Sequence, residues 1–309
     1  MLRYAPAIAR QRRAVSRRSH RLLQGQGIDV AMTAFENGRM VAETLASGVT
    51  DFALTGFTPA AFNLAGKGMI KAIASRTREK RYYEGTELVV SNTGFSKGLQ
   101  KFEDIVGRTV AIDALGSVAH YQLEQIARVK KVDIDRVTVK PVQTLDAIAR
   151  AIGANEIDGA IMPASYAREL LASNQAKLVG WYSELDEIQF GALFASSKMI
   201  ATRRAAIEKF VRAYRRGVGD YTEALLRKDR NSKRTADIKS HEAATTIARY
   251  VYPDRGTSGA VAVEASAYFI DPQAQLDIAD IERQIAWYVH GQIDKTVSAR
   301  DVVDPSFVK

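Results

Sequence analysis

The chain has 309 residues, 46% hydrophobic and 26% charged, an ordinary globular composition long enough for two domains or one large one at ~100–200 residues each. Cysteine is absent, which excludes disulfides, thiolate catalysis, iron–sulfur clusters and cysteine-based zinc sites. The formal charge of +9 is concentrated in a tail and a loop, with seven arginines and no acid in residues 1–27 and six Lys/Arg against Asp229 and Asp237 in residues 227–239.

A basic folded face that tracks phosphates spreads across elements and is interleaved with aromatics, so nucleic acid is not an expected partner. The longest uncharged stretch, Phe52 to Gly66, spans 15 residues and contains Thr, Asn, Gly and Pro. A membrane span needs ~20 apolar residues, and none is expected here. At the N-terminus, Ser16-Arg17-Arg18-Ser19 resembles a twin-arginine motif. The following Leu22-Leu23-Gln24-Gly25-Gln26-Gly27 is too short and too polar for the apolar part of a signal peptide. Residues 7–24 are predicted as one helix with a very basic face.

The predicted elements then alternate. Strands are expected at 28–32, 51–54, 69–74 and 87–91, with helices at 40–47 and 60–66 between them. A second set has strands at 108–113, 137–141, 157–162, 177–182 and 190–196. Its helices fall at 118–129, 144–152 and 165–172, the first with Tyr121, Ile126 and Val129 inward. Strands alternating with short helices predict an open, mostly parallel α/β sheet. From Thr202 the pattern turns helical: Ile207, Phe210, Val211, Tyr214, Val218, Tyr221 and Leu225 recur at helical spacing and form one buried stripe. Further helices are predicted at 241–250 and 276–293.

Two segments repeat one local logic: a strand ends in a small, hydroxyl-bearing loop that opens a helix. They are Asp51-Phe52-Ala53-Leu54-Thr55-Gly56-Phe57-Thr58-Pro59 and Val110-Ala111-Ile112-Asp113-Ala114-Leu115-Gly116-Ser117. Unpaired N–H groups and the positive dipole end suit an anionic or strongly polar group, while Thr58 or Thr55 in the first segment, and Ser117 in the second, also suit simple helix capping. Open α/β sheets bind ligands at the carboxyl ends of their strands, and there are two such loops here.

A set of motifs runs through the chain in order, beginning with Gly27-Ile28-Asp29-Val30 and Thr44-Leu45-Ala46-Ser47-Gly48-Val49-Thr50-Asp51-Phe52-Ala53. It continues through Leu88-Val89-Val90, Phe102-Glu103-Asp104-Ile105-Val106-Gly107-Arg108-Thr109-Val110-Ala111 and Gly116-Ser117-Val118-Ala119-His120. Asn155-Glu156-Ile157-Asp158-Gly159-Ala160 and Val302-Val303-Asp304-Pro305-Ser306-Phe307 complete it. In these motifs the sequence resembles the substrate-binding proteins of the nitrate/sulfonate/taurine class of ABC importers, a grouping that includes pyrimidine-precursor binders of the thiamine pathway.

The resemblance implies a two-lobed periplasmic-binding-protein fold of type II, α/β with parallel-rich sheets flanked by helices and a helical C-terminal part. One lobe would combine residues 1–92 and 189–309, the other residues 93–188, and the lobes would close on a small ligand. Thr55, Gly56 and Thr58 would line the first lobe's side of the cleft. Gly116, Ser117 and Val118 would line the second, beside Pro163 and Ser165, with Gln189 and Phe190 where the chain returns. The implied protein is a monomeric binder rather than an enzyme, without metal or cofactor. Its implied partners are a small anionic or polar ligand and the membrane permease and ATPase of an importer. Its implied location is periplasmic, or cytoplasmic if the chain starts as written. Relatives begin with a strand about 25 residues before the equivalent of Gly27. Only Met1-Leu2-Arg3-Tyr4 occupies that place here, so an altered start is expected.

Other chemistry finds less support. Gly25-Gln26-Gly27 is followed by Val30 where a dinucleotide loop needs its third glycine, and Gly66-Lys67-Gly68 lacks the other residues of a P-loop. His20, His120, His241 and His290 are too scattered for a metal motif. No Gly-x-Ser-x-Gly elbow surrounds Ser117. His120, four residues into a helix that opens on the expected cleft, stands out. The fold also hosts enzymes. A pyrimidine synthase with a cysteine-rich motif is excluded by the absence of cysteine, whereas a menaquinone-pathway lyase is the alternative reading.

Overall fold

The computed structural model describes residues 30, 31, 33, 35, 38–230 and 234–308. The predicted helix 7–24 lies outside them, as does the predicted strand 28–32 except for Val30 and Ala31, which are irregular. The chain forms two compact units. The first holds the described residues up to Arg78, Gln189–Glu264 and Ile270 onward; the second holds Glu79–Ile188 and Ala265–Phe269.

In chain order, the first unit begins with α1 (Gly38–Ala46), β1 (Phe52–Gly56), α2 (Pro59–Gly66) and β2 (Ile70–Ser75). The second contains β3 (Thr86–Ser91), α3 (Asn92–Ser96), β4 (Thr109–Ile112), α4 (Val118–Lys130) and β5 (Thr138–Pro141). It goes on through α5 (Leu145–Gly153), β6 (Gly159–Pro163), α6 (Ala164–Ala172) and β7 (Ala176–Trp181). The chain then returns as β8 (Gly191–Ser196), α7 (Ser197–Thr202) and α8 (Arg204–Tyr221), and a π-helical turn at Thr222–Leu226 follows. The last helices are α9 (Ile238–Val251), α10 (Gly256–Ala265), α11 (Ile278–Tyr288) and α12 (Ala299–Val302). The sequence pattern missed α10, whose opening Gly-Thr-Ser-Gly reads as a loop.

In the first unit, β8 lies between β1 and β2 and runs antiparallel to both, with Gly56 opposite Gly191 and Thr55 opposite Ala192. A Cβ on Gly191 would come within 2.0 Å of the Thr55 carbonyl oxygen, so only glycine permits this approach. One face of the sheet carries an aromatic cluster. Phe57 packs on Phe62 at 5.5 Å and edge-on to Phe194 at 6.0 Å, and Phe62 packs on Tyr288 of α11 at 5.3 Å between ring centroids. Each such pair adds about 0.5–1.5 kcal/mol beyond area burial. The other face takes the stripe of α8: Ile207 and Val211 are buried with Ile73 and Leu193, and Phe210 stacks on Phe52 at 4.3 Å.

The second unit has five strands in the order β5-β4-β6-β3-β7. Strand β4 runs parallel to β5 and β6, whereas β3 runs antiparallel to β6 and β7. Every antiparallel pairing in these two sheets involves β3 or β8, the first strand of each sheet after the chain passes from one unit to the other. Strand β3 is interior to the second sheet, so the chain leaves the first unit at Arg78 and not at residue 92. Its six residues are all buried and hold it there by ladders on both edges. The segment 265–269 also joins the second unit, where the Tyr268 hydroxyl donates to the Gly85 carbonyl at 3.2 Å. Along α4, Tyr121 and Ile126 face inward, but Val129 in the last turn is 37% exposed. It lies beside exposed Arg128, where the helix ends at a left-handed Lys131. Among the described residues, no helix is long and apolar enough to cross a membrane.

Candidate functional site

In the first unit the candidate residues gather where β1 gives way to α2. The Thr58 hydroxyl accepts the Ala61 N–H at 3.4 Å and caps α2. Pro59 at the first helical position has no N–H, so Ala60 carries the remaining donor of that turn. Thr55 is buried and donates its hydroxyl to the Gly38 carbonyl at the start of α1, at 3.2 Å. The loop between them is pinned from both sides: the Phe57 N–H donates to the Phe190 carbonyl at 3.0 Å, and the Tyr288 hydroxyl donates to the Phe57 carbonyl at 3.1 Å. Thr55, Gly56, Thr58 and Phe190 therefore share one sheet end.

Gln189 is committed to the fold. Its side chain is fully buried, donating to the Gly191 carbonyl at 2.8 Å and accepting the Asp277 N–H at 2.9 Å. Its backbone N–H donates to Asp280 at 2.6 Å, and its carbonyl accepts from Gln284 at 2.9 Å. Asp280, fully buried, is pushed up to about 6 by burial, against the bonds from Gln189 and Gln284 and the charge of Arg283. This knot fixes the returning chain.

In the second unit the register places the amino end of β3 beside the carboxyl ends of β4 and β6, because Thr86 lies opposite Pro163 and Val110 opposite Gly159. Gly116, Ser117, Val118, Pro163 and Ser165 all lie at that end. Ser117 caps α4 by accepting the His120 N–H at 3.2 Å, which leaves the Val118 and Ala119 N–H groups as remaining donors of the turn. Gly116 adopts φ +74°, a left-handed conformation that glycine takes without strain. Its N–H donates to His120 Nδ1 at 3.0 Å. Pro163 precedes α6 with no side-chain cap.

The same end holds carboxyl groups that the sequence reading did not single out. Glu79 is fully buried; one oxygen accepts the Thr86 N–H at 2.8 Å and the Gln122 amide at 3.1 Å, and the other has no hydrogen-bond partner among the described residues. Burial pushes it up to about 7. Glu87, also buried and with one oxygen unpartnered among the described residues, is pushed up to about 7 by burial and by Glu84, against the opposing charge of Arg168. A single acid directly before the apolar run Leu88-Val89-Val90 was the available signal for Glu87. Glu79 gave none, since its burial depends on contacts with α4 and Gly85. Burial also lowers His120 and raises Glu124. Among the described residues no cluster of three or more His, Asp or Glu is arranged to hold a metal.

Residues 22–224 match the family described as NMT1/THI5 like. That stretch is well over half of the sequence. The chain belongs to this family. No curated protein is matched by sequence. Among solved structures, the periplasmic aliphatic sulphonate binding protein SsuA from Escherichia coli is similar with a TM-score of 0.69 at 16% identity, over 93% of this chain and 91% of that one. The ligand binding component of an ABC-type import system from Staphylococcus aureus, solved with zinc bound, gives 0.68 at 14% identity over 94% and 91%. The desulfurization enzyme DSZB gives 0.63 at 15% identity over 93% and 91%. At these identities the likeness is one of fold, the fold of periplasmic binding proteins, and it carries both binders and an enzyme.

Proposed function

We propose that this chain is the solute-binding component of an ABC importer that captures a small anionic or polar molecule: a sulfonate, nitrate, a pyrimidine precursor or an aromatic carboxylate. The observation that carries the reading is the repeated device at two strand ends. In each unit a hydroxyl caps a helix while first-turn N–H groups remain for a ligand, through Thr58 in one and Ser117 in the other. Family membership and the shared fold with import-system binders support it. Gly56, Gly116, Val118, Pro163, Ser165 and Phe190 then shape the two loop sets. Gln189 acts behind them by anchoring β8 to α11. The proposed partners are a membrane permease and its ATPase, and the proposed setting is periplasmic.

The test is a thermal-shift screen of the purified chain against ethanesulfonate, nitrate, bicarbonate, 4-aminopyrimidine and benzoate, with each mixture also checked for product. A ligand that binds only the folded chain raises the midpoint with the logarithm of its concentration above Kd, by about 2.7 kcal/mol of stability at 100 times Kd. A concentration-dependent rise without product is expected. Turnover of a substrate would instead place the chain with the fold's enzymes.

A further inference from the structure

We propose that His120 is a positioning residue: its neutral imidazole holds the Gly116–Ser117 loop in place, and protonation of that imidazole releases it. The proposal rests on the reading that Ser117 faces ligand, and it names a control built into that same loop. His120 ties the loop twice. Its backbone N–H donates to the Ser117 hydroxyl at 3.2 Å, and its ring Nδ1 accepts the Gly116 N–H at 3.0 Å. The arrangement is a displaced capping box. In the usual form the third helical residue is Glu or Gln and reaches back to the cap residue's own N–H. Here the third residue is histidine, and it reaches one residue further, to a glycine at φ +74°.

The choice of histidine has a chemical consequence. To accept from Gly116, Nδ1 must be unprotonated, so the ring is neutral with its proton on Nε2. Nε2 lies 4.0 Å from Glu124 Oε1, one turn further along α4. A second proton would set Nδ1–H against the Gly116 N–H, and one tie would be lost. A Gln at this position would keep its acceptor at every pH.

The groups around α4 set the balance. Asp113, on the loop ahead of the helix, favours the charged ring, but burial outweighs it and holds His120 below the usual histidine range. The positive dipole end of α4 acts in the same direction as burial. Glu79 reaches α4 at Gln122 from the segment before β3, and Asp135 beyond the helix end acts on Glu124. Glu103, Lys130, Arg128 and Asp186 pair with one another around the far end of the helix. Because the folded loop disfavours the proton, its order is complete above the ordinary histidine pKa of ~6.5 and is lost as pH falls below it.

The experiment is NMR on the full chain labelled with nitrogen-15, without ligand, so that it stands or falls separately from the ligand reading. At pH 7.5 the imidazole should show the Nε2–H tautomer. On titration to pH 5 the Gly116 amide resonance should move with the same midpoint as the ring. Its hydrogen exchange, corrected for intrinsic rate, should accelerate about tenfold, the equivalent of one lost hydrogen bond. His120→Asn, whose side-chain oxygen replaces the Nδ1 acceptor, should keep slow exchange at both pH values. His120→Leu should be fast at both. An Nδ1–H tautomer at pH 7.5, a Gly116 resonance that ignores the ring's titration, or an Asn variant as fast as Leu would each overturn the proposal.

Discussion

The loops that open α2 and α4 use one capping chemistry and two different supports. Around Thr58 the backbone is held by packing: Pro59 fixes the entry to the helix, Phe57 is fully buried among Phe62 and Phe194, and Tyr288 closes on its carbonyl. Around Ser117 it is held by hydrogen bonds with a group that titrates: the Gly116 N–H donates to His120 Nδ1 and the His120 N–H donates to the Ser117 hydroxyl, with Glu79 and Glu87 buried at the same sheet end. A loop set by apolar packing is insensitive to pH, whereas one tied by a histidine is not. The first loop therefore gives a fixed surface and the second an adjustable one.

The contrast breaks most severely if the packing is removed. Phe57→Ala should cost about 3–5 kcal/mol, a fall of roughly 10 °C in thermal midpoint at 2–4 °C per kcal/mol, with the same loss at pH 5 and pH 8. A loss that changed strongly with pH would show that the first loop also depends on charge.

The next effect concerns the second unit. Glu79 and Glu87 both have their folded pKa raised from 4.5 to about 7. The folded chain therefore holds protons that the unfolded chain has released, and stability falls as pH rises through that window. Replacing both by Gln should flatten this part of the profile and leave the variant more stable than the parent above pH 7, by about 1–3 kcal/mol. Denaturant unfolding at pH 5, 6, 7 and 8 checks it, and a variant whose stability parallels the parent at every pH would contradict it. His120 contributes in the opposite sense, since its lowered pKa removes stability as pH falls below the ordinary histidine value.

Smaller still is the cap itself. Thr58→Ala should cost about 1 kcal/mol, and Tyr288→Phe a similar amount because the Phe57 carbonyl loses its buried partner. Both should leave the pH profile unchanged. Circular-dichroism melts at two pH values suffice to show whether they do.

Much of this organisation was legible in the sequence, for identifiable reasons. The strand–loop–helix units carry local signals: alternating apolar residues, a hydroxyl at the cap, and proline or glycine at the turn. The segments ending at Thr58 and Ser117 accordingly form the helix caps read from them. Features decided by distant contacts were not legible. The placement of β3 inside the second sheet depends on pairing with β6 and β7, which arrive some 70–90 residues later in the chain. Gln189 read as a cleft residue from its place at the returning strand, yet α11, about 90 residues on, takes up its hydrogen bonds. Glu79 looks like any surface acid until Gln122 and Gly85 enclose it.

The central proposal is that the hydroxyl-capped helix ends at Thr58 and Ser117 serve ligand binding. It is tested most directly by calorimetric titration, at pH 7.5, of the parent chain, Thr58→Ala and Ser117→Ala with the compound that gives the largest thermal shift among ethanesulfonate, nitrate, bicarbonate, 4-aminopyrimidine and benzoate. The account predicts one saturable site in the parent. Each variant should bind about one to two decades more weakly, as expected for the loss of one hydrogen bond to a charged group at roughly 1.5–3 kcal/mol. Both variants binding as tightly as the parent would contradict it.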